Sequence, residues 1–195
     1  MKYSMDLVSA SSDAWLNKVL SNFDSFLQDH ADCERKASAM AMSLVAKYPD
    51  RVEIIPELIE TALEEMEHFR DVYALMAERG TTLSAGMEKD LYIQQLMALG
   101  HGGTPQTRFR DRLLLASIIE CRGCERFKQI ADHIEEPELQ IFYKRLWTSE
   151  AKHGNIFVKM ACLYFDQDEV YDRLAALAAA EAEIVQALPL RAALH

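Results

Sequence analysis

A chain of 195 residues, half of them hydrophobic, is long enough for one domain with a substantial core. Its formal net charge of −10 argues against tight nonspecific nucleic-acid binding, which needs a basic footprint, but leaves room for a local basic patch. No run approaches the roughly 18 uninterrupted apolar residues that span a bilayer, the start Met1-Lys2-Tyr3-Ser4-Met5-Asp6 lacks a signal peptide's apolar core, and four cysteines, Cys33, Cys121, Cys124 and Cys162, fit reduced thiols in a cytoplasmic protein better than a disulfide framework.

Ala, Leu, Glu, Met and Lys dominate, and alternating Val/Ile/Thr runs bounded by turn residues are missing, so the composition favours helices. In chain order, Ser11-Ser12-Asp13 caps a short helix carrying Trp15, Leu16, Val19 and Leu20. A long helical pattern follows, from Asn22 or Asp29 to Lys47, and stops before Pro49. The next begins near Asp50 and ends at Arg79, with Gly80 as its natural stop. A shorter helix lies near Met87–Leu99, followed by Gly100-His101-Gly102-Gly103-Thr104-Pro105, the clearest break in the chain. A third long helix spans about 106–133. Pro137 opens the fourth, expected to run unbroken to about Phe165, and an Ala-rich tail helix closes the chain at about Leu188.

Two copies of Glu-x-x-His stand out: Glu65 with His68, and Glu150 with His153, 85 residues later. Each has a lone Glu about thirty residues upstream, Glu34 and Glu120, themselves 86 residues apart. The halves read as a diverged repeat of a helix pair. At i, i+3 a Glu and a His share one helical face. Each acid also interrupts an otherwise apolar stripe: Ala37, Ala41 and Leu44 around Glu34; Leu58, Ala62, Val72 and Met76 around Glu65; Leu113, Ala116 and Phe127 around Glu120; Leu146, Phe157 and Met160 around Glu150. Glu64, by contrast, shares its face with Glu57, Glu60, Glu67 and Asp71. Glu125 rivals Glu120, because Cys33-Glu34-Arg35 and Cys124-Glu125-Arg126 are the same tripeptide. It lies about 140° around the helix from Glu120, on a more polar face, so Glu120 is preferred.

Four buried carboxylates are prohibitive without partners, and a pair of multivalent cations removes that cost. Oxygen and imidazole donors together select iron or manganese over calcium. The same six side chains on two helix pairs joined by a crossover resemble the ligand set of the ferritin-like di-iron proteins. The expected fold is therefore all-α: a ferritin-like four-helix bundle with a long crossover and extra helices, residues 1–195 forming a single di-iron domain. Other features are read as structural. Cys121 and Cys124 are small core residues, and Tyr73, Tyr143 and Tyr164 are core positions. His30, His133 and His195 sit in polar settings near helix ends, and His101 is a surface loop residue.

The segments D-C-E-R-K-A-S-A-M-A (32–41), L-E-E-M-E-H-F (63–69), I-I-E-C-R-G-C-E-R-F (118–127) and S-E-A-K-H (149–153) resemble the tRNA hydroxylase family MiaE, over about residues 10–188. That resemblance implies a non-haem di-iron monooxygenase using O2 and two reducing electrons. Its substrate would be the isopentenyl group of 2-methylthio-N6-isopentenyladenosine in tRNA. Carried over by motif, Glu34, Glu65, His68, Glu120, Glu150 and His153 would hold the two iron ions and form the catalytic centre. The implied partners are tRNA and an unidentified electron donor, with no membrane; the tail helix, with Leu174, Leu177 and Ile184 beside Glu181 and Glu183, fits packing on the bundle better than an anionic bilayer. The expected state is a monomer or small oligomer in the cytoplasm. Phosphate contact requires cations, and Arg108, Arg110 and Arg112 are the candidates after the Gly-rich loop, with Lys144, Arg145 and Lys152 on the fourth helix. The alternatives are a di-iron hydroxylase or oxidase of another apolar small molecule, and a ferritin-like iron storage or detoxification protein.

Overall fold

A computed structural model describes residues 3–86 and 89–195. Among these, eight helices and no strand form: α1 (Asp13–Leu20), α2 (Phe23–Lys47), α3 (Ile55–Glu78), α4 (Leu91–Ala98), α5 (Pro105–His133), α6 (Pro137–Glu150), α7 (His153–Cys162) and α8 (Gln167–Ala187). Their starts follow local chemistry. Pro56, Pro105 and Pro137 occupy first-turn positions, where a missing N–H costs no helical bond. The side chains of Asp90, Thr104 and Asp166 accept hydrogen bonds from Ile93 N, Thr107 N and Asp168 N at the starts of α4, α5 and α8. Gly80 adopts φ 72° and lets Thr81 N–H reach back to Met76 O at 2.9 Å, closing α3. Met87, the expected start of the short fourth element, lies outside the described residues.

The chain divides into two compact units. One holds residues 17–88 and 191–194, the other residues 1–16, 89–190 and 195. In the first, α2 and α3 run antiparallel: Gln28 Nε2 donates to Thr82 O at 2.6 Å, and ten residues on Ser38 Oγ donates to Ala62 O at 2.8 Å. The inner face of α2 carries Phe23, Phe26, Leu27, Ala31, Ala41 and Leu44, and that of α3 carries Leu58, Ala62, Val72 and Met76. Tyr73 is not core as expected. It is 49% exposed, because eight residues beyond Glu65 it has turned about 80° away from the buried stripe.

In the second unit α5 is the central helix. Antiparallel to it run α6 and α7: Ser117 Oγ donates to Gly154 O at 2.7 Å, and seven residues on the Cys124 thiol donates to Trp147 O at 3.4 Å. The expected continuous fourth helix is interrupted at Ala151–Lys152. Lys152 N–H reaches Ser149 O at a long 3.5 Å, and Gly154 follows with little helix propensity of its own. The glycine is there for close approach: a Cβ at Gly154 would lie 2.6 Å from Cys121 Sγ.

Helix α8 buries Val170, Leu174, Leu177, Ala178 and Ala182. Its Glu181 is fully buried rather than solvated. It accepts from Arg122 Nε and Nη2 of α5 at 2.8 and 3.0 Å and from the Tyr92 hydroxyl of α4 at 3.1 Å. The same arginine reaches Glu125 Oε2 at 3.0 Å and Ser9 O at 2.9 Å. The Arg126 guanidinium stacks 4.6 Å over the Trp15 ring and donates to Ser11 Oγ at 3.0 Å. Burial, then the neighbouring Arg122 charge, pushes the Arg126 pKa down to about 10. The Arg residues of the I-I-E-C-R-G-C-E-R-F string therefore fasten the N-terminal segment and the tail helix to α5.

Candidate metal centre

Each unit contains one buried Glu–Glu–His triad. In the first, Glu34 projects from α2, and Glu65 and His68 from α3. They are 4%, 1% and 9% exposed, and their ligand atoms lie within 4.8 Å of one another. His68 Nδ1 is 3.5 Å from Glu65 Oε2 and 3.9 Å from Glu34 Oε2. In the second, Glu120 projects from α5, Glu150 ends α6 and His153 begins α7. All three are buried, and their ligand atoms meet the same 4.8 Å limit. His153 Nδ1 is 2.7 Å from Glu150 Oε2 and 3.9 Å from Glu120 Oε2.

The correspondence is close. In both triads the imidazole turns Nδ1 toward the carboxylates, and in both that nitrogen stands 3.9 Å from the Glu contributed by the neighbouring helix. The difference lies in the Glu-x-x-His pairs. Glu65 and His68 ride one continuous helix, whereas Glu150 and His153 flank the interruption between α6 and α7.

The donor set fits a metal. Two carboxylates and one imidazole nitrogen gather on each apolar helix face, where burying several acids together is costly unless cations balance them. Mixed oxygen and imidazole donors suit iron or manganese. Either triad would hold a metal through its two carboxylates and the imidazole nitrogen that faces them.

The rival acid Glu125 is engaged elsewhere. Its carboxylate accepts from Ser11 N–H at 2.9 Å, Ser11 Oγ at 2.7 Å and Arg122 at 3.0 Å. Burial is the main cause pushing the Cys124 thiol up to about 12, followed by the fields of Cys121, Glu150 and Glu120. Such a thiol stays protonated and is a poor metal ligand.

One participant escaped the sequence reading. His30 was placed in a polar setting near a helix end; it is fully buried, seven residues inside α2, with Nε2 2.7 Å from Glu34 Oε1. Its i, i+4 spacing to Glu34 is present in the sequence, but of the two expected helix starts, Asn22 and Asp29, only the first sets His30 well inside the helix, and α2 begins at Phe23. The arginine candidates divide. Arg110 is buried and bonded to Asp111 at 2.8 Å and to Glu169, which removes it as a phosphate-facing cation. Arg108 and Arg112 are half-buried, Arg108 donating to Gly103 O at 2.7 Å.

The family model of tRNA-(MS[2]IO[6]A)-hydroxylase (MiaE) matches residues 3–195. The chain belongs to the MiaE family. A Pseudomonas putida protein named tRNA 2-(methylsulfanyl)-N(6)-isopentenyladenosine(37) hydroxylase is 36% identical over 177 residues, covering 89% of this chain and 83% of its own. A Salmonella typhimurium protein of the same name is 26% identical over 187 residues, covering 72% and 68%. Among solved structures, "Protein 43 with aldehyde deformylating oxygenase activity from Synechococcus" matches with a TM-score of 0.90 at 30% identity, over 96% of this chain and 92% of that one. The fold of this MiaE-family chain is all-α and ferritin-like. No helix among the described residues is long and apolar enough to cross a membrane.

Proposed function

We propose that the chain is a non-haem di-iron monooxygenase that hydroxylates the isopentenyl group of 2-methylthio-N6-isopentenyladenosine in tRNA. The observation that carries this is the pair of buried Glu–Glu–His triads at equivalent helical positions in a chain matched by the MiaE model over residues 3–195. Glu34, Glu65, His68, Glu120, Glu150 and His153 together supply the ligands for two iron ions, and residues 1–195 act as one catalytic domain.

When bound, the iron pair supplies the two-electron activation of O2 that hydroxylation of an unactivated carbon demands. The protein's share is to hold and shield it. Leu113, Ala116, Leu146 and Phe157 are buried along the faces that carry the second triad, and such a lining excludes water and accepts a prenyl chain. The overall change consumes the substrate, O2, two electrons and two protons, and yields the alcohol and water. An external donor, unidentified, supplies the electrons.

Phosphate contacts fall to Arg108 and Arg112, with exposed Lys144, Arg145 and Lys152 on the outer side of α6 and its junction with α7. The enzyme works in the cytoplasm as a monomer or small oligomer. The test is to incubate iron-loaded, reduced protein with O2 and isopentenylated tRNA, digest to nucleosides and weigh them. A gain of one oxygen on the modified adenosine is expected. No gain with a competent reductant, or elution as a large shell in size-exclusion chromatography, overturns the proposal.

A further inference from the structure

The two triads match, but the residues behind them do not. On α2, His30 lies one helical turn before Glu34 and Nε2 stands 2.7 Å from Glu34 Oε1. The imidazole is fully buried, with its ring 5.7 Å from Phe26. The 86-residue offset that carries Glu34 onto Glu120 carries His30 onto Ala116, a buried methyl with no polar group. The Glu34 carboxylate is divided: Oε1 accepts from His30, and Oε2 faces His68 Nδ1. Glu120 likewise turns Oε2 toward its triad histidine, but the helix behind it offers no imidazole at the equivalent place.

We propose that His30 is a positioning residue that holds Glu34 through Oε1, reserves Oε2 for metal and makes the α2–α3 metal position chemically distinct from the one built on α5, α6 and α7. A carboxylate that already accepts a hydrogen bond is oriented, and part of its electron density is drawn to the donor. The metal it binds receives a better-placed ligand. The inference rests on the reading of Glu34 as an iron ligand.

The experiment strips the full-length protein of metal, titrates it anaerobically with Fe(II) and records Mössbauer spectra of the loaded samples. Wild type shows two inequivalent Fe(II) environments. His30→Met fills the same space without a donor, and one iron then binds about 10–100-fold more weakly, the usual cost of losing a ligand's hydrogen-bond partner, while one quadrupole doublet shifts and the other stays. His30→Gln, whose amide donates over a similar reach, stays close to wild type. Adding His30→Met to Glu34→Ala costs nothing beyond Glu34→Ala alone, because the histidine acts through that carboxylate. Wild-type affinities and spectra in His30→Met overturn the inference alone; a wild type that takes up no iron overturns the metal reading and this inference with it. Should His30→Met not fold, His30→Gln carries the test: an intact pair of sites supports the proposal, and loss of one site in a folded Gln variant overturns it.

Discussion

Arg122 and Glu181 form a bidentate ion pair in which neither side chain is exposed to solvent, joining α5 to α8 at 2.8 and 3.0 Å. Burial opposes the Arg122 charge, but Glu181, together with the fields of Tyr92 and Glu125, raises its pKa, so the guanidinium stays charged. Removing one partner leaves the other charge buried and uncompensated. Glu181→Ala is expected to lower stability by about 3–5 kcal/mol, measured as the urea midpoint. Tyr92 adds a pH signature. Burial, then the field of Glu181, raises its hydroxyl well above the ordinary value. The unfolded chain ionises Tyr92 at about pH 10 and the folded chain only at higher pH. This contribution is therefore intact below about pH 10 and is lost above it, at about 1.4 kcal/mol per pH unit. Tyr92→Phe, which removes a single hydroxyl donor at neutral pH, is expected to make alkaline unfolding correspondingly shallower.

The choice between the two acids of α5 has a clean readout. Glu120→Ala is expected to lose iron after anaerobic loading while keeping its melting temperature. Glu125→Ala is expected to keep iron but to lose about 1–3 kcal/mol, because Ser11 and Arg122 lose their acceptor. Metal analysis beside thermal unfolding of both variants decides it, and the reverse pattern moves the ligand to Glu125.

Gly154→Ala tests the seat of α7. The added methyl meets Cys121 Sγ at 2.6 Å, and overpacking of this kind costs about 1–3 kcal/mol. Because the neighbour is His153, the iron content is expected to fall along with stability. Shrinking the obstacle with Cys121→Ala in the same chain is expected to recover most of both. Failure of the double variant to recover either would mean that the glycine serves the backbone rather than the contact.

The arginines after the Gly-rich loop are expected to separate by burial. Arg108→Glu with Arg112→Glu should leave the fold intact, weaken tRNA binding and reduce the slope of log affinity against log salt by about one per lost phosphate contact. Arg110→Glu should instead unfold the protein more readily, since it places an acid against Asp111 and Glu169. Filter-binding across a salt series and a denaturant curve distinguish the two effects.

Much of this was legible in the chain, for identifiable reasons. Glu34, Glu65, Glu120 and Glu150 stand out because an acid at a helical apolar position has few inexpensive explanations, and the structure brings them into two buried triads with His68 and His153. Helix ends with a glycine stop or a capping oxygen, such as Gly80 and Thr104, were also readable. The break between α6 and α7 was not, because Leu146, Glu150, His153 and Phe157 stay in phase across it. Nor were the fates of Arg110 and Arg122. Their partners Glu169 and Glu181 each lie 59 residues away, and helical periodicity within one element says nothing of which distant charge arrives opposite.

The interruption at Ala151–Lys152 means that the two halves fix their Glu–His spacing by different means. The separation of Glu65 and His68 is fixed by the continuous hydrogen-bonded ladder of α3. Glu150 and His153 sit on two helical segments, each tethered to α5 by its own contact, Trp147 O to Cys124 and Gly154 O to Ser117. The Glu150–His153 geometry therefore depends on where α5 holds two separate segments, whereas that of Glu65 and His68 is set within α3 alone.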